Sequence, residues 1–213
     1  KYALLGLLAP AQSENLEVVS TFLLPSTKAT TLFTKVAVVP GRLELLATRV
    51  LNTSLLESGK IYLQQESCNL ELLVREVIGA MQPRFDKNNT TLTFETFGND
   101  FNVPADKLHI QGVLVNLLDN SMKYGQGRIN ILIRLKEAAG KLQLSFADNG
   151  PGIPEEYRDK IFEKFFRVPN ADRHDTKGHG LGLSYAAQVM RQHNGSINVR
   201  NIAQGGCEFT LTF

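Results

Sequence analysis

Cysteine is scarce: only Cys68 and Cys207 occur in 213 residues, far apart and without His or Cys neighbours at ligand spacing. That argues against a disulfide-stapled scaffold and a zinc site, and it leaves two reduced, partly buried thiols in a cytoplasmic setting. No apolar run approaches the roughly 18 residues of a membrane span, and no basic–apolar leader opens the chain. Neither sign of charge dominates: the net value of +2 is too small to argue for a nucleic-acid partner or an anionic membrane. A Gly-Lys-Ser/Thr string is absent, which excludes a P-loop. Internal repeats and low-complexity tracts are absent as well. Histidine is also thinly spread, with no copy before His109 and only His174, His179 and His193 after it.

What is present is ordinary globular composition, 43% hydrophobic and 21% charged, enough for one sizeable domain with a small appendage. The chain starts at Lys1 and is expected to be a piece of a longer protein, whose upstream part could carry a membrane anchor or sensing module. In residues 1–57, Pro10, Pro25 and Pro40 interrupt any long helix. Beyond Gly41, Leu43, Leu46 and Val50 follow helical spacing, Leu51 and Leu55 lie on an adjacent stripe, and Gly59 is placed to end the helix. Then the pattern alternates. Ile61 and Leu63 open a strand, and residues 69–86 form an amphipathic helix with Leu70, Leu73, Val74 and Val77 on one side. Strands are expected around Leu92–Phe97, at Phe101 and Val103, over 128–135, from Leu142 to Phe146, near 196–201 and at 207–213. Asp106 caps a helix reaching about Tyr124, and a further helix covers about Leu181 to His193. Mixed strands with helices gathered on one face make a two-layer α/β sandwich.

Four short motifs carry the chemistry. In Asn116-Leu-Leu-Asp-Asn120-Ser-Met-Lys123-Tyr124, residues four apart share a helix face, so two amides, an ammonium and a ring line up opposite buried Val113, Leu117 and Leu118. Amide oxygens are hard ligands suited to Mg²⁺. Alone, this motif also reads as an amphipathic helix with solvated asparagines. Asp148-Asn-Gly-Pro-Gly152 follows a strand, with turn chemistry throughout, and leads through Ile153-Pro154 into a helix opened by Glu155 and Glu156. An inward carboxylate there can accept a hydrogen bond from the exocyclic amine of adenine, where guanine has no donor. Phe162-Glu-Lys-Phe-Phe166-Arg167 reads as a helix end with three buried rings, and its guanidinium offers paired donors for phosphate. After a polar loop from Val168 to Lys177 comes Gly178-His-Gly-Leu-Gly-Leu-Ser184. Its glycines and the following helix N-terminus suit close approach to phosphates. A loop rather than a strand precedes this run, which excludes a dinucleotide fold.

In this order, the four motifs resemble the N, G1, F and G2 boxes of the sensor histidine kinase branch of the Bergerat-fold ATPases. The resemblance covers roughly residues 55–213 and extends to His193-Asn-Gly-Ser-Ile197 and Gly205-Gly206…Phe209. It implies an ATP-binding catalytic domain over 60–213. Residues 1–59 would form a helical segment similar to the end of a dimerisation and histidine-phosphotransfer domain, since Leu55-Leu-Glu-Ser-Gly-Lys60 resembles the close of its second helix. By the same resemblance, Asn120 holds Mg²⁺, Lys123 faces the phosphates, Tyr124 flanks adenine, Asp148 selects it and Gly152 leaves room for the ring. Gly150, Ile153, Phe162, Arg167 and the run Gly178, His179, Gly180, Leu181, Gly182 and Leu183 complete the ATP pocket. The implied partners are a response-regulator receiver domain and a second copy of the chain.

Hydrolytic members of the superfamily carry a water-activating Glu at the first N-box position, where this chain has Asn116. An amide has no protonation equilibrium near neutral pH, so transfer to an imidazole fits better than hydrolysis. The expected catalytic group is therefore Asn116, Lys123 and Arg167. The family's phosphoacceptor histidine would lie close to or before Lys1. A nucleotide-binding signalling module without kinase activity is the alternative reading, and a hydrolytic ATPase is the weaker one.

Overall fold

Two periodicities account for the architecture. A computed structural model describes residues 63–125, 127–138, 140–169 and 180–213, all within one compact unit that spans Thr48–Phe213. The expected helix over 43–59, its dimerisation role, the boundary at 59–60 and the lid segment beyond Pro169 lie outside the described residues.

Period-2 segments build a five-stranded sheet in the order β2 (Thr90–Phe97), β4 (Ile129–Ala138), β5 (Lys141–Asp148), β7 (Cys207–Thr212), β6 (Ser196–Asn201). Only β2 and β4 run parallel; the other neighbours are antiparallel. Alternation decides the inner face: Ile129, Ile131, Ile133 and Leu135 of β4, Leu142, Leu144 and Phe146 of β5, and Phe209 and Leu211 of β7 are buried. A separate antiparallel pair joins β1 (Glu66–Asn69) to β3 (Asn102–Ala105). Strand β1 starts at Glu66, so Leu63, expected to open a strand, lies outside it, and Ile61 lies outside the described residues. Pro104 stands inside β3, tolerated because the two-stranded ribbon has free edges.

Three helices cover the inner face through a shared apolar cluster. Helix α1 (Leu70–Lys87) starts at Asn69, whose side chain accepts from Leu72 N, and buries Leu70, Leu73, Val74, Val77, Met81 and Phe85. Helix α2 (Lys107–Tyr124) is capped by Asp106 through His109 N and buries Val113, Leu117 and Leu118. Helix α3 (Gly182–Gln192) lies antiparallel to α2: its C-cap His193 reaches Asp106, and its first residue faces Asn116. The two-layer α/β sandwich expected from the sequence is the fold observed.

One element differs. Glu155 and Glu156 open a single 3-10 turn (Glu155–Tyr157), followed by a second at Lys160–Phe162, and no longer helix forms. The rings there need different neighbours: Phe162 meets Phe209 edge-on and Phe166 meets Tyr157, an arrangement that a regular helix pitch would not give.

Candidate functional site

The motif residues converge at the C-terminal end of α2, the end of β5 and the start of α3. Asp148 continues the inward register of Leu144 and Phe146, so a carboxylate occupies a core position at a strand end. Its Oδ1 accepts from Gly150 N (2.9 Å) and Cys207 N (3.4 Å). Its Oδ2 accepts from Ser121 Oγ (3.2 Å) and from the Cys207 thiol (3.5 Å). Burial and the neighbouring carboxylate push the Cys207 thiol well above its usual range, so it stays protonated and acts as a donor.

The loop after Asp148 is held from both sides. Asn149 Oδ1 accepts from Asn130 N (2.8 Å) and its Nδ2 donates to Arg128 O (2.9 Å), extending the edge of β4. Asn201 clamps Ile153 in the same two-handed way, accepting from its N (2.9 Å) and donating to its O (2.8 Å). Gly152 takes φ +76°, and a side chain there would press on that Asn201 amide. Beneath the loop, a Cβ on Gly206 would fall 1.8 Å from Asp148 O, so only glycine lets β7 approach so closely.

On α2, Asn116, Asn120, Lys123 and Tyr124 are all half-buried, while Val113, Leu117 and Leu118 are buried behind them, as their spacing predicts. Asn116 sits opposite Gly182, and its Nδ2 is buried without a hydrogen-bond partner. A buried orphan amide beside a helix N-terminus suits a polar ligand that completes it. Lys123 Nζ donates to Tyr124 Oη (3.2 Å) and lies 4.7 Å from its ring centroid. Two carboxamides one turn apart form a hard-oxygen donor set, and no His/Cys/Asp/Glu metal cluster exists among the described residues. That set fits a magnesium ion shared with phosphates better than one held in an all-protein cage.

The third and fourth motifs meet directly. Phe165 N donates to Gly180 O (3.0 Å), and a Cβ on Gly180 would come within 2.7 Å of the Phe165 backbone. Phe162 and Phe166 are half-buried and pack against the core cluster, but Phe165, at φ +65°, is 70% exposed, so the three buried rings expected here reduce to two partly buried ones. Leu181 and Leu183 pack against the core cluster. Arg167 is exposed. Gly178 and His179 lie outside the described residues.

With this geometry in view, residues 105–213 match the family described as histidine kinase-, DNA gyrase B-, and HSP90-like ATPase. The chain belongs to that family. Its domain is an ATP-binding one. Among curated relatives, the sensor protein RprX of Bacteroides fragilis is 31% identical over 172 residues, covering 80% of this chain and 33% of RprX. The adaptive-response sensory kinase SasA of Synechocystis is 38% identical over 141 residues, covering 66% of this chain and 36% of SasA. This chain therefore spans about a third of the length of these relatives. The solved catalytic domain of histidine kinase ThkA is 32% identical, with a TM-score of 0.63, and covers 71% of this chain and 97% of that one. ThkA in complex with the response regulator TrrA is 26% identical with a TM-score of 0.65, covering 93% of this chain and 54% of that one.

Ser121, Cys207 and Asn201 were not among the residues expected at the site. Ser121 and Cys207 had a signal: each is a polar atom on a face otherwise apolar, Ser121 among Leu117 and Leu118, Cys207 in register with Phe209 and Leu211. Asn201 had none, because its partner is 48 residues away.

Proposed function

We propose that this chain is the ATP-binding catalytic region of a two-component sensor histidine kinase. It would pass the γ-phosphoryl group of ATP to a histidine, and from there the group would go to an aspartate of a response-regulator receiver domain. The observation that carries the reading is Asn116: the side chain facing the start of α3 is an amide, not a carboxylate. Without a base to take a proton from water, the site suits a nucleophile that needs none, such as a neutral imidazole nitrogen. Its N–P bond forms as the bond to the bridging oxygen breaks and ADP leaves. Positioning and charge neutralisation supply the catalysis.

In this reading Asp148 accepts the exocyclic amine of adenine, Tyr124 flanks the ring, and Gly150, Gly152 and Ile153 shape its slot. Lys123, Arg167 and the backbone of Gly178 to Leu183 face the phosphates, with Phe162 setting the floor of the lid. Asn120, with Asn116 beside it, would hold Mg²⁺, which neutralises phosphate charge when bound. Neither His109 nor His193 serves as acceptor: both are buried, His109 against the Tyr185 hydroxyl and His193 between Val189 O and Asp106 N. Residues 1–59 would belong to a dimerisation segment that pairs two copies, in the cytoplasmic part of a receptor.

Incubating the full-length protein with γ-labelled ATP tests the proposal. Acid-labile, base-stable label on the protein supports it. Steady phosphate release without labelled protein overturns it in favour of a hydrolytic ATPase, and neither product in favour of a signalling module without kinase activity.

A further inference from the structure

The carboxylate of Asp148 is already fully engaged by the protein. A carboxylate offers about four lone-pair positions, and four donors reach it: Gly150 N and Cys207 N on Oδ1, Ser121 Oγ and Cys207 Sγ on Oδ2. An adenine amine can bind only if one of them yields. The donors on Oδ2 are built to yield. Ser121 has a single hydroxyl hydrogen but two acceptors at nearly equal range, Asp148 Oδ2 at 3.2 Å and its own-helix Leu117 O at 3.3 Å. Bonding to the carbonyl four residues back is an available alternative for a helical serine. A thiol is a weak donor that costs little to displace.

We propose that Ser121 is a switchable donor in the adenine pocket. Its hydroxyl caps Asp148 Oδ2 when no base is bound and turns to Leu117 O when a purine amine takes that oxygen. The Cys207 thiol is a second, weaker placeholder. The Ser121 hydroxyl then has an acceptor in both states, and only the weak thiol donor gives up its partner when the base binds. The inference rests on the reading of Asp148 as the adenine acceptor and adds how that acceptor is kept satisfied and released.

The sign of one substitution decides it. Ser121→Ala removes the competitor, so the ligand-free chain should melt a few degrees lower while ATP binds about 3- to 10-fold tighter by calorimetry. A serine that merely orients the carboxylate predicts the opposite, and weaker or unchanged ATP affinity in Ser121→Ala overturns the switch. Cys207→Ala should move affinity in the same direction by less. In the parent protein, the S–H stretching band of Cys207 should shift toward its non-bonded frequency on adding ATP while that of Cys68 stays put. A stationary Cys207 band removes the thiol from the scheme. Asp148→Asn is the control for the site itself: if that variant binds ATP like the parent, the adenine reading has failed and not the switch alone.

Discussion

At the scale of single residues, chemistry and shape separate at Asp148 and at the glycine pair Gly205 and Gly206. Asp148 lies in core register, and an amide in its place keeps its shape and one acceptor oxygen for Gly150 N and Cys207 N, so Asp148→Asn should be felt by the ligand more than by the fold. Asp148→Asn is expected to weaken ATP binding by about 10- to 100-fold, the worth of a hydrogen bond to a charged group, with a melting temperature close to the parent's; titration calorimetry and thermal scanning check both halves. Gly205 and Gly206 form the matching steric experiment. Both have positive φ, +96° and +93°, but a Cβ meets nothing at Gly205 and meets Asp148 O at 1.8 Å at Gly206. Gly205→Ala should cost about 1–2 kcal/mol of backbone strain, and Gly206→Ala about 1–3 kcal/mol more, since β7 must shift. Urea unfolding of the two variants measures the difference, and equal costs would contradict the close approach.

At the scale of elements, α2 and α3 are joined by a buried polar knot at the end opposite the motif residues. Asp106 caps α2, accepts Gln64 N at 2.8 Å and donates its own N–H to His193 Nε2 at 2.9 Å. His109 Nδ1 meets Tyr185 Oη at 2.9 Å. Burial holds the His109 imidazole below its ordinary value of 6.5, against the opposing pull of Asp106 and with some help from His193. The unfolded chain therefore takes up a proton at this position before the folded one does. Stability is complete above about pH 6.5 and declines as pH falls from there through the lower folded value. Melting curves from about pH 7.5 to about 5.5 should fall more steeply for the parent than for His109→Gln; parallel slopes would contradict the assignment.

The same scale shows what the local pattern could and could not say. Helix α1 and strands β4 and β5 follow their apolar spacing to within three residues, because each buries one face against a single neighbour layer. Residues 155–167 do not, because Tyr157, Phe162 and Phe166 pack in different directions and Phe165 adopts φ +65° to let Gly180 O be reached. Those constraints come from β7 and the fourth motif, far along the chain, and leave no periodic trace in the segment itself.

For the whole molecule, the two cysteines provide a simple check on packing. Cys68 and Cys207 are both free and buried, and burial raises both thiols. An aromatic disulfide reagent should modify neither quickly under native conditions and titrate both in denaturant. Rapid native modification of either would mean that its layer opens more readily than the packing implies.

The sequence by itself determined the order of the elements, the two-layer arrangement and the identity of the motifs, because periodicity and turn chemistry act over a few residues. It also placed Asp148 inward and Asn116 with Asn120 on one face. Tertiary structure decided the rest: that Asn116 faces Gly182, that Asn201 clamps Ile153, and that Ser121 and Cys207 converge on one carboxylate. Ser121 and Cys207 lie 27 and 59 positions from Asp148 in the chain. Only the packing of α2 and β7 against the end of β5 brings such groups within reach.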